Sequence, residues 1–485
     1  MKNTDRLENT GKPADGKTLS AFLGKVGLFA VLIAAVVGFT DRKGYFDPDN
    51  TNNHTLRKWN AFYDFTRRNA VDVVLVGNSH LYTGINPKNL SVALGANCFI
   101  LASPGTTLTD AYFALKEAIA VSKPKIAVVE TFTVYDYDTY ELKDGALSDQ
   151  FKSFSARKNI KEKLFSMPFL FNSHHYLPAW SNTVRNHGFI FSDNEQIKYN
   201  ISLSRRPPVR ENRLYLGRYV RFTTGLEDST LLKYDRPGFT ASDGNKHKVG
   251  KEAALYIDKI QKLCAKHDIR LIYLTIPSYY RHIANYGRVR DNMKACFDPR
   301  IPWLDLQADY DMEAFTPEAF ENTVRTNQHL TYYGSLVATY KLAAFIREKC
   351  PDVLEDRYKD MKWRRMFYGD EGYFENYPPE KDGINALLMT DTLLNGIAVK
   401  EVDFIRTSRA NTLLIKTYRT GESAASGFLT ATVECFAGGK SFVSELELAS
   451  SPAYEPPGHR LYRSLPIHPD TRITGVRAIA YKTGR

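Results

Sequence analysis

The sequence predicts an α/β protein: a five-stranded parallel sheet with helices on both faces, one large insertion, and a smaller C-terminal antiparallel β-domain. Three observations carry this. Short apolar runs alternate with amphipathic stretches between about residues 55 and 350, as βαβ units do. The alternation fails between about 135 and 246, where aromatic and charged residues crowd together. From about residue 385 the texture becomes alternating and β-branched, broken by Gly, Ser and Asn, which is the pattern of an antiparallel sandwich.

Taken in order, "LRKWNAFYDFTRRN" has helical spacing, and "VDVVLVG" is a continuous apolar run ending in glycine, the look of a buried parallel strand. A helix follows over Pro87–Leu94, with proline in its first turn. "NCFILAS" is the second strand, and "TTLTDAYFALKEAIAVSK" is a helix capped by Thr106 or Thr107. "KIAVVET" is the third strand. After the insertion come a helix over Gly250–His267, a strand over Ile269–Pro277, the helix "VRDNMKACF" and a fifth strand, "IPWLDL". "YYGSLVATYKLAAFIREKC" closes the unit near Cys350. A basic segment, 351–384, reads as a linker, and five alternating runs within 385–485 supply the β-domain.

The N-terminus holds a different signal. Residues 21–40 form a 20-residue apolar stretch with one charge, Lys25. At about 1.5 Å per helical residue, this length matches a bilayer core of about 30 Å. Lys2, Arg6, Lys12 and Lys17 precede it, so the positive-inside rule keeps residues 1–20 cytoplasmic and places the remainder outside. A cleaved signal peptide is the alternative, but no A-x-A site precedes "TDRKGYF". The segment therefore reads as an uncleaved, single-pass anchor.

Composition bounds the remainder. In 485 residues, 43% apolar and 25% charged, there is enough material for two folded units. The net charge of +11 is dispersed among 54 acidic residues, which suits an anionic envelope surface. No Lys/Arg stripe with interleaved aromatics marks a nucleic-acid binder. The five cysteines form no CxxC pair and their odd number excludes complete pairing; Cys264 with Cys296 or Cys350 remains an open choice. No HExxH, EF-hand, P-loop or dinucleotide fingerprint occurs, so neither a metal nor a cofactor is expected.

Three features point to chemistry. Ser79, in "VLVGNSHLYTG", stands just past the carboxyl end of the first strand, where open α/β sheets bind ligands. Gly105, in "SPGTTLTD", lies at the same edge and lets backbone approach a reacting carbonyl. His329, in "RTNQHLTYYGS", precedes the closing helix, within reach of a serine whose proton it can take.

In order and spacing, "GNSH", "SPGTTLTD" and "NQHLTYYGS" resemble the first, second and last blocks of the SGNH/GDSL hydrolase superfamily, over residues 70–350. The resemblance implies a three-layer α/β/α fold, Ser79 as nucleophile, His329 as base, and the amides of Ser79 and Gly105 as oxyanion donors. With its anchor, the chain is also similar in architecture to the alginate O-acetyltransferase proteins and the D-alanyl transfer protein of teichoic acid synthesis, which move acyl groups onto extracytoplasmic polymers.

The sequence departs from that pattern at two places. Thr326 and Asn327 stand where an acid is expected before His329. Asn327 can orient the ring through its amide oxygen, a carboxylate from Asp305 or Glu321 can reach it, or a Ser–His dyad can act alone. Glu130 and Thr131 occupy the place of the family's oxyanion asparagine; Thr131 can donate a hydrogen bond there, whereas an anionic Glu130 would oppose the oxyanion. His80 is assigned no chemistry and is expected to point away from Ser79.

The expected function is an extracytoplasmic serine esterase or O-acyltransferase acting on a cell-surface polysaccharide. Lipid is its partner through the anchor, and a membrane protein is a candidate acyl donor. Tyr176, Trp180, Phe189 and Phe191 of the insertion are candidates for stacking on sugar rings. The alternative is an inactive glycan-binding or scaffold protein that kept the fold.

Overall fold

The computed structural model describes residues 16–47, 54–135, 147–192, 194–204, 216–217, 242–243, 249–279, 283–310, 315–321 and 329–357, isolated positions to 366, and seven strands between 393 and 483. The chain divides into two compact units: Met1–Asn53 with Asn172–Val209, and His54–Phe171 with Arg210–Arg485.

In the second unit, β1 (Val73–Val76), β2 (Cys98–Ile100), β3 (Ile126–Glu130), β4 (Arg270–Thr275) and β5 (Trp303–Asp305) form one sheet. Their order is 2-1-3-4-5 and every neighbouring pair is parallel. The expected α/β fold is present, with all five strands where the apolar runs placed them. β1 and β3 are buried along their whole length, so both faces of each must be covered.

Side chains of alternate residues supply those two faces. Val73, Leu75, Ile126, Val128, Ile272 and Leu274 pack into one cluster with residues of the helices Pro87–Leu94 and Tyr332–Lys349. On the other face, Phe99 of β2 meets Phe62 of the helix His54–Thr66 edge to face at 5.2 Å. Tyr112 and Tyr256 link the helices Leu108–Ser122 and Lys251–Lys266 at 5.6 Å. Each such buried side chain contributes about 1.5–3 kcal/mol.

Local signals set the helix bounds. Pro87 opens its helix behind the Asn86 cap, and Thr107 accepts the amide of Asp110 at 3.2 Å. The outer edge of β2 is not bare: the amide of Ile100 donates to the carbonyl of Leu216 at 2.9 Å. A Cβ on Gly217 would lie 1.9 Å from the Ile100 carbonyl, so only glycine permits that approach.

The expected linker begins with residues fastened to the chain just before β1 and β2, at their amino ends. Arg357 grips Asp72 with two bonds of 2.7 and 2.8 Å, and Trp363 donates to Asn97 at 2.8 Å. Beyond residue 392, Leu393–Leu394, Ile397–Arg406, Asn411–Arg419 and Arg460–Ile467 pair into one antiparallel sheet. Leu429–Ala437, Lys440–Ala449 and Ile473–Thr483 pair into another. The four described cysteines outside these sheets are free thiols, so the bridge left open for Cys264 is absent among them.

In the first unit, the helix Gly16–Lys43 contains a 25-residue apolar span, Leu19–Lys43, none of it buried within the protein. Its C-terminal end is bonded to short helices of the insertion. Thr183 donates its amide and hydroxyl to Asp41, each at 2.7 Å, and Asn200 donates to the carbonyls of Tyr45 and Asp47.

Candidate active site

The site is built where the sheet order reverses, at the carboxyl ends of β1 and β3, the crevice in which such sheets place ligands. β1 is followed by Gly77, where a Cβ would stand 2.6 Å from the Cβ of Glu130 at the end of β3. The two strand ends can be this close only because Gly77 has no side chain. Asn78 then caps the helix Ser79–Gly84, accepting the amide of His80 at 2.9 Å. Ser79 takes the first helical position, where backbone N–H groups lack an intrahelical acceptor.

His329 meets this turn from the other end of the chain. Its Nε2 lies 2.9 Å from Ser79 Oγ, and its Nδ1 lies 3.3 Å from Glu321 Oε2. Ser79 is half-buried, whereas His329 and Glu321 are buried. A short backbone pairing explains why an acid eight residues upstream reaches the ring. Phe320 and Leu330 are bridged antiparallel, and the Glu321 amide donates to the His329 carbonyl at 2.8 Å. With the Nδ1 proton directed to Glu321, Nε2 is left to accept the Ser79 proton.

The other proposed acids stand differently. Asp305, at the end of β5, accepts from Tyr286 at 2.8 Å and from the amides of Gln307 and Ala308, with Arg290 at 3.3 Å. Burial pushes its carboxyl up, and those bonds pull against it. Its carboxylate is therefore engaged away from His329, and of the two carboxylates the sequence offered, Glu321 is the one at the ring. Asn327 and Thr326 lie outside the described residues.

Gly105 lies in the turn after β2, on the same carboxyl edge as Ser79, with a φ of 57° that favours glycine. Thr131 is tied to the neighbouring strand end, its hydroxyl 2.6 Å from that of Thr275.

Two further residues shape the surroundings of the site. Burial pushes the Glu130 carboxyl up to about 8, against backbone amides of Phe132, Asn78 and Thr131 that favour its charge. The upward shift favours the protonated form and so lessens the negative charge that Glu130 would set against an oxyanion. His80 is fully buried, stacked on Phe132 at 3.8 Å and edge-on to His329 at 5.0 Å. It is thus part of the wall that holds the His329 ring, a contact that no local sequence signal reveals.

This constellation can move a proton from a serine hydroxyl to an imidazole whose far side is held by a carboxylate, the arrangement used in nucleophilic acyl transfer.

No protein-family profile matches the chain, and no curated protein matches it. Among solved structures, it is similar to a two-domain esterase active on acetylated mannans, co-crystallised with mannopentaose. The identity is 7%, with a TM-score of 0.25 over 86% of this chain and 92% of that chain. A similarity of that size fixes neither the fold nor the chemistry of this protein.

Proposed function

We propose that this protein is a membrane-anchored, extracytoplasmic serine esterase or O-acyltransferase of the SGNH type, acting on a cell-surface polysaccharide. The observation that carries this reading is the Ser79–His329–Glu321 line, with contacts of 2.9 and 3.3 Å at the switch point of a parallel sheet.

Ser79 Oγ attacks the acyl carbonyl while its proton passes to His329 Nε2. The carbonyl π electrons move onto oxygen, and the amides of Ser79 and Gly105 receive that oxyanion. Glu321 holds the ring and balances the imidazolium. Collapse reforms the carbonyl and breaks the bond to the alcohol, which leaves with the proton from His329. Water or a second sugar hydroxyl then attacks acyl-Ser79, His329 again takes the proton, and Ser79 departs protonated. Water as acceptor makes the protein an esterase; a sugar makes it a transferase.

The long apolar span of the N-terminal helix, interrupted up to Thr40 by Lys25 alone and preceded by Lys2, Arg6, Lys12 and Lys17, supports the anchor and its orientation. The inactive-scaffold alternative rests on the missing acid before His329, on Glu130–Thr131 in place of the family's asparagine and on the C-terminal β-domain; Glu321 at Nδ1 weakens the first of these.

Hydrolysis of p-nitrophenyl acetate by the full chain in detergent tests the assignment, beside Ser79→Ala and His329→Ala. Turnover is expected to vanish in both variants, together with fluorophosphonate labelling of Ser79. Equal rates in all three folded proteins would leave glycan binding without catalysis as the better account.

A further inference from the structure

The insertion helices bonded to the end of the apolar helix carry apolar side chains that are largely exposed among the described residues. Phe191 is 90% exposed, Leu177 71% and Ile190 53%. They lie on the short helices Tyr176–Trp180 and Phe189–Ser192, with Trp180 on the first of these. Large apolar side chains exposed to this degree mark an interaction surface.

Their position relative to the anchor says what covers them. The helix Asn182–Asn186 lies between them in sequence. Thr183 bonds Asp41 and lies 2.7 Å from the hydroxyl of Thr40. Asn186 donates to the carbonyl of Phe46 at 2.8 Å, and the fully buried Asn200 takes the carbonyls of Tyr45 and Asp47. These acceptors sit where the apolar span ends, beside the basic residues Arg42 and Lys43 in its last turn. Among the described residues none of this span is buried, and its length and apolarity fit a bilayer; on that reading a segment bonded to its last residues is held at the lipid surface.

We propose that the helices Tyr176–Trp180 and Phe189–Ser192 form a collar resting on the bilayer, with Leu177, Ile190 and Phe191 entering the headgroup region around the mouth of the anchor. This rests on the reading of Leu19–Lys43 as a membrane span. Interfacial segments of this kind bury their apolar face about 5–10 Å deep, and tryptophan favours that level. The aromatics of this collar, considered from sequence as sugar platforms, belong to the anchor's unit and not to that of Ser79.

The full chain in vesicles of phosphatidylethanolamine and phosphatidylglycerol carrying a photoactivatable phospholipid tests this, with lipid adducts mapped by mass spectrometry. Adducts are expected on the anchor and on residues 176–192. In the double variant Leu177→Asp, Phe191→Asp, those on 176–192 are expected to drop several-fold while those on the anchor persist. Adducts on the anchor alone would overturn the collar and leave the span intact, the result expected if a partner protein or a glycan covers this face. Absence of adducts from the anchor as well would remove the span itself, and the collar with it.

Discussion

At Nδ1 of His329 the choice among several acids becomes a measurable one. Glu321 stands 3.3 Å away, whereas Asp305 is bonded to Tyr286 and two backbone amides. Glu321→Ala is therefore expected to lower kcat for p-nitrophenyl acetate by up to ~10⁴-fold, the loss seen when a serine triad loses the function of its orienting acid. Asp305→Asn is expected to leave kcat of the folded protein near the wild-type value. The reverse pattern would return the orienting role to Asp305. Ser79 and His329 were legible in the sequence because each stands beside a strand or helix boundary that can be read locally. The choice of Glu321 was not, because it depends on the Phe320–Leu330 pairing, a tertiary contact that no spacing rule encodes. His80 was hidden for the same reason: its ring partners, Phe132 and His329, come from other elements.

Among the elements, two close approaches hold the site's parts in register. In the closing helix, a Cβ on Gly334 would stand 2.2 Å from the Ala319 carbonyl, so Gly334→Ala must push that helix away from the short helix Pro317–Ala319. The expected cost is about 1–3 kcal/mol in urea unfolding. A larger loss of kcat is expected than the stability change alone would give, because Glu321 and His329 flank that contact. The second approach, Gly77 against Glu130, buries a carboxyl whose folded pKa, about 8, lies above its ordinary 4.5. The unfolded chain releases this proton first as pH rises, so the stability due to Glu130 is fully present below pH 4.5 and declines through about pH 8. Melting temperatures of wild type and Glu130→Gln should therefore diverge across that window, with the wild type losing ground as pH increases. A constant difference would show that Glu130 folds already ionised. The strands themselves were readable because β1 and β3 are apolar at nearly every position, as only a doubly covered strand is.

Across the whole molecule, long-range fastenings decide what the local pattern left open. Arg357 reaches back 285 residues to Asp72, whose side chain is almost wholly buried. Arg357→Ala is expected to cost about 3 kcal/mol in urea unfolding, since it leaves a buried carboxylate without its cation. A neutral result would make residues after 350 the spacer that their basic, loop-like composition suggests. The same long reach has a consequence in time. Ser79 and His329 are 250 residues apart, and a ribosome adds about 5–20 residues per second, so on the order of 10–50 s separates the synthesis of the proposed nucleophile and its proposed base. Throughout that interval the serine is an ordinary alcohol, since the growing chain does not yet hold the histidine that meets it.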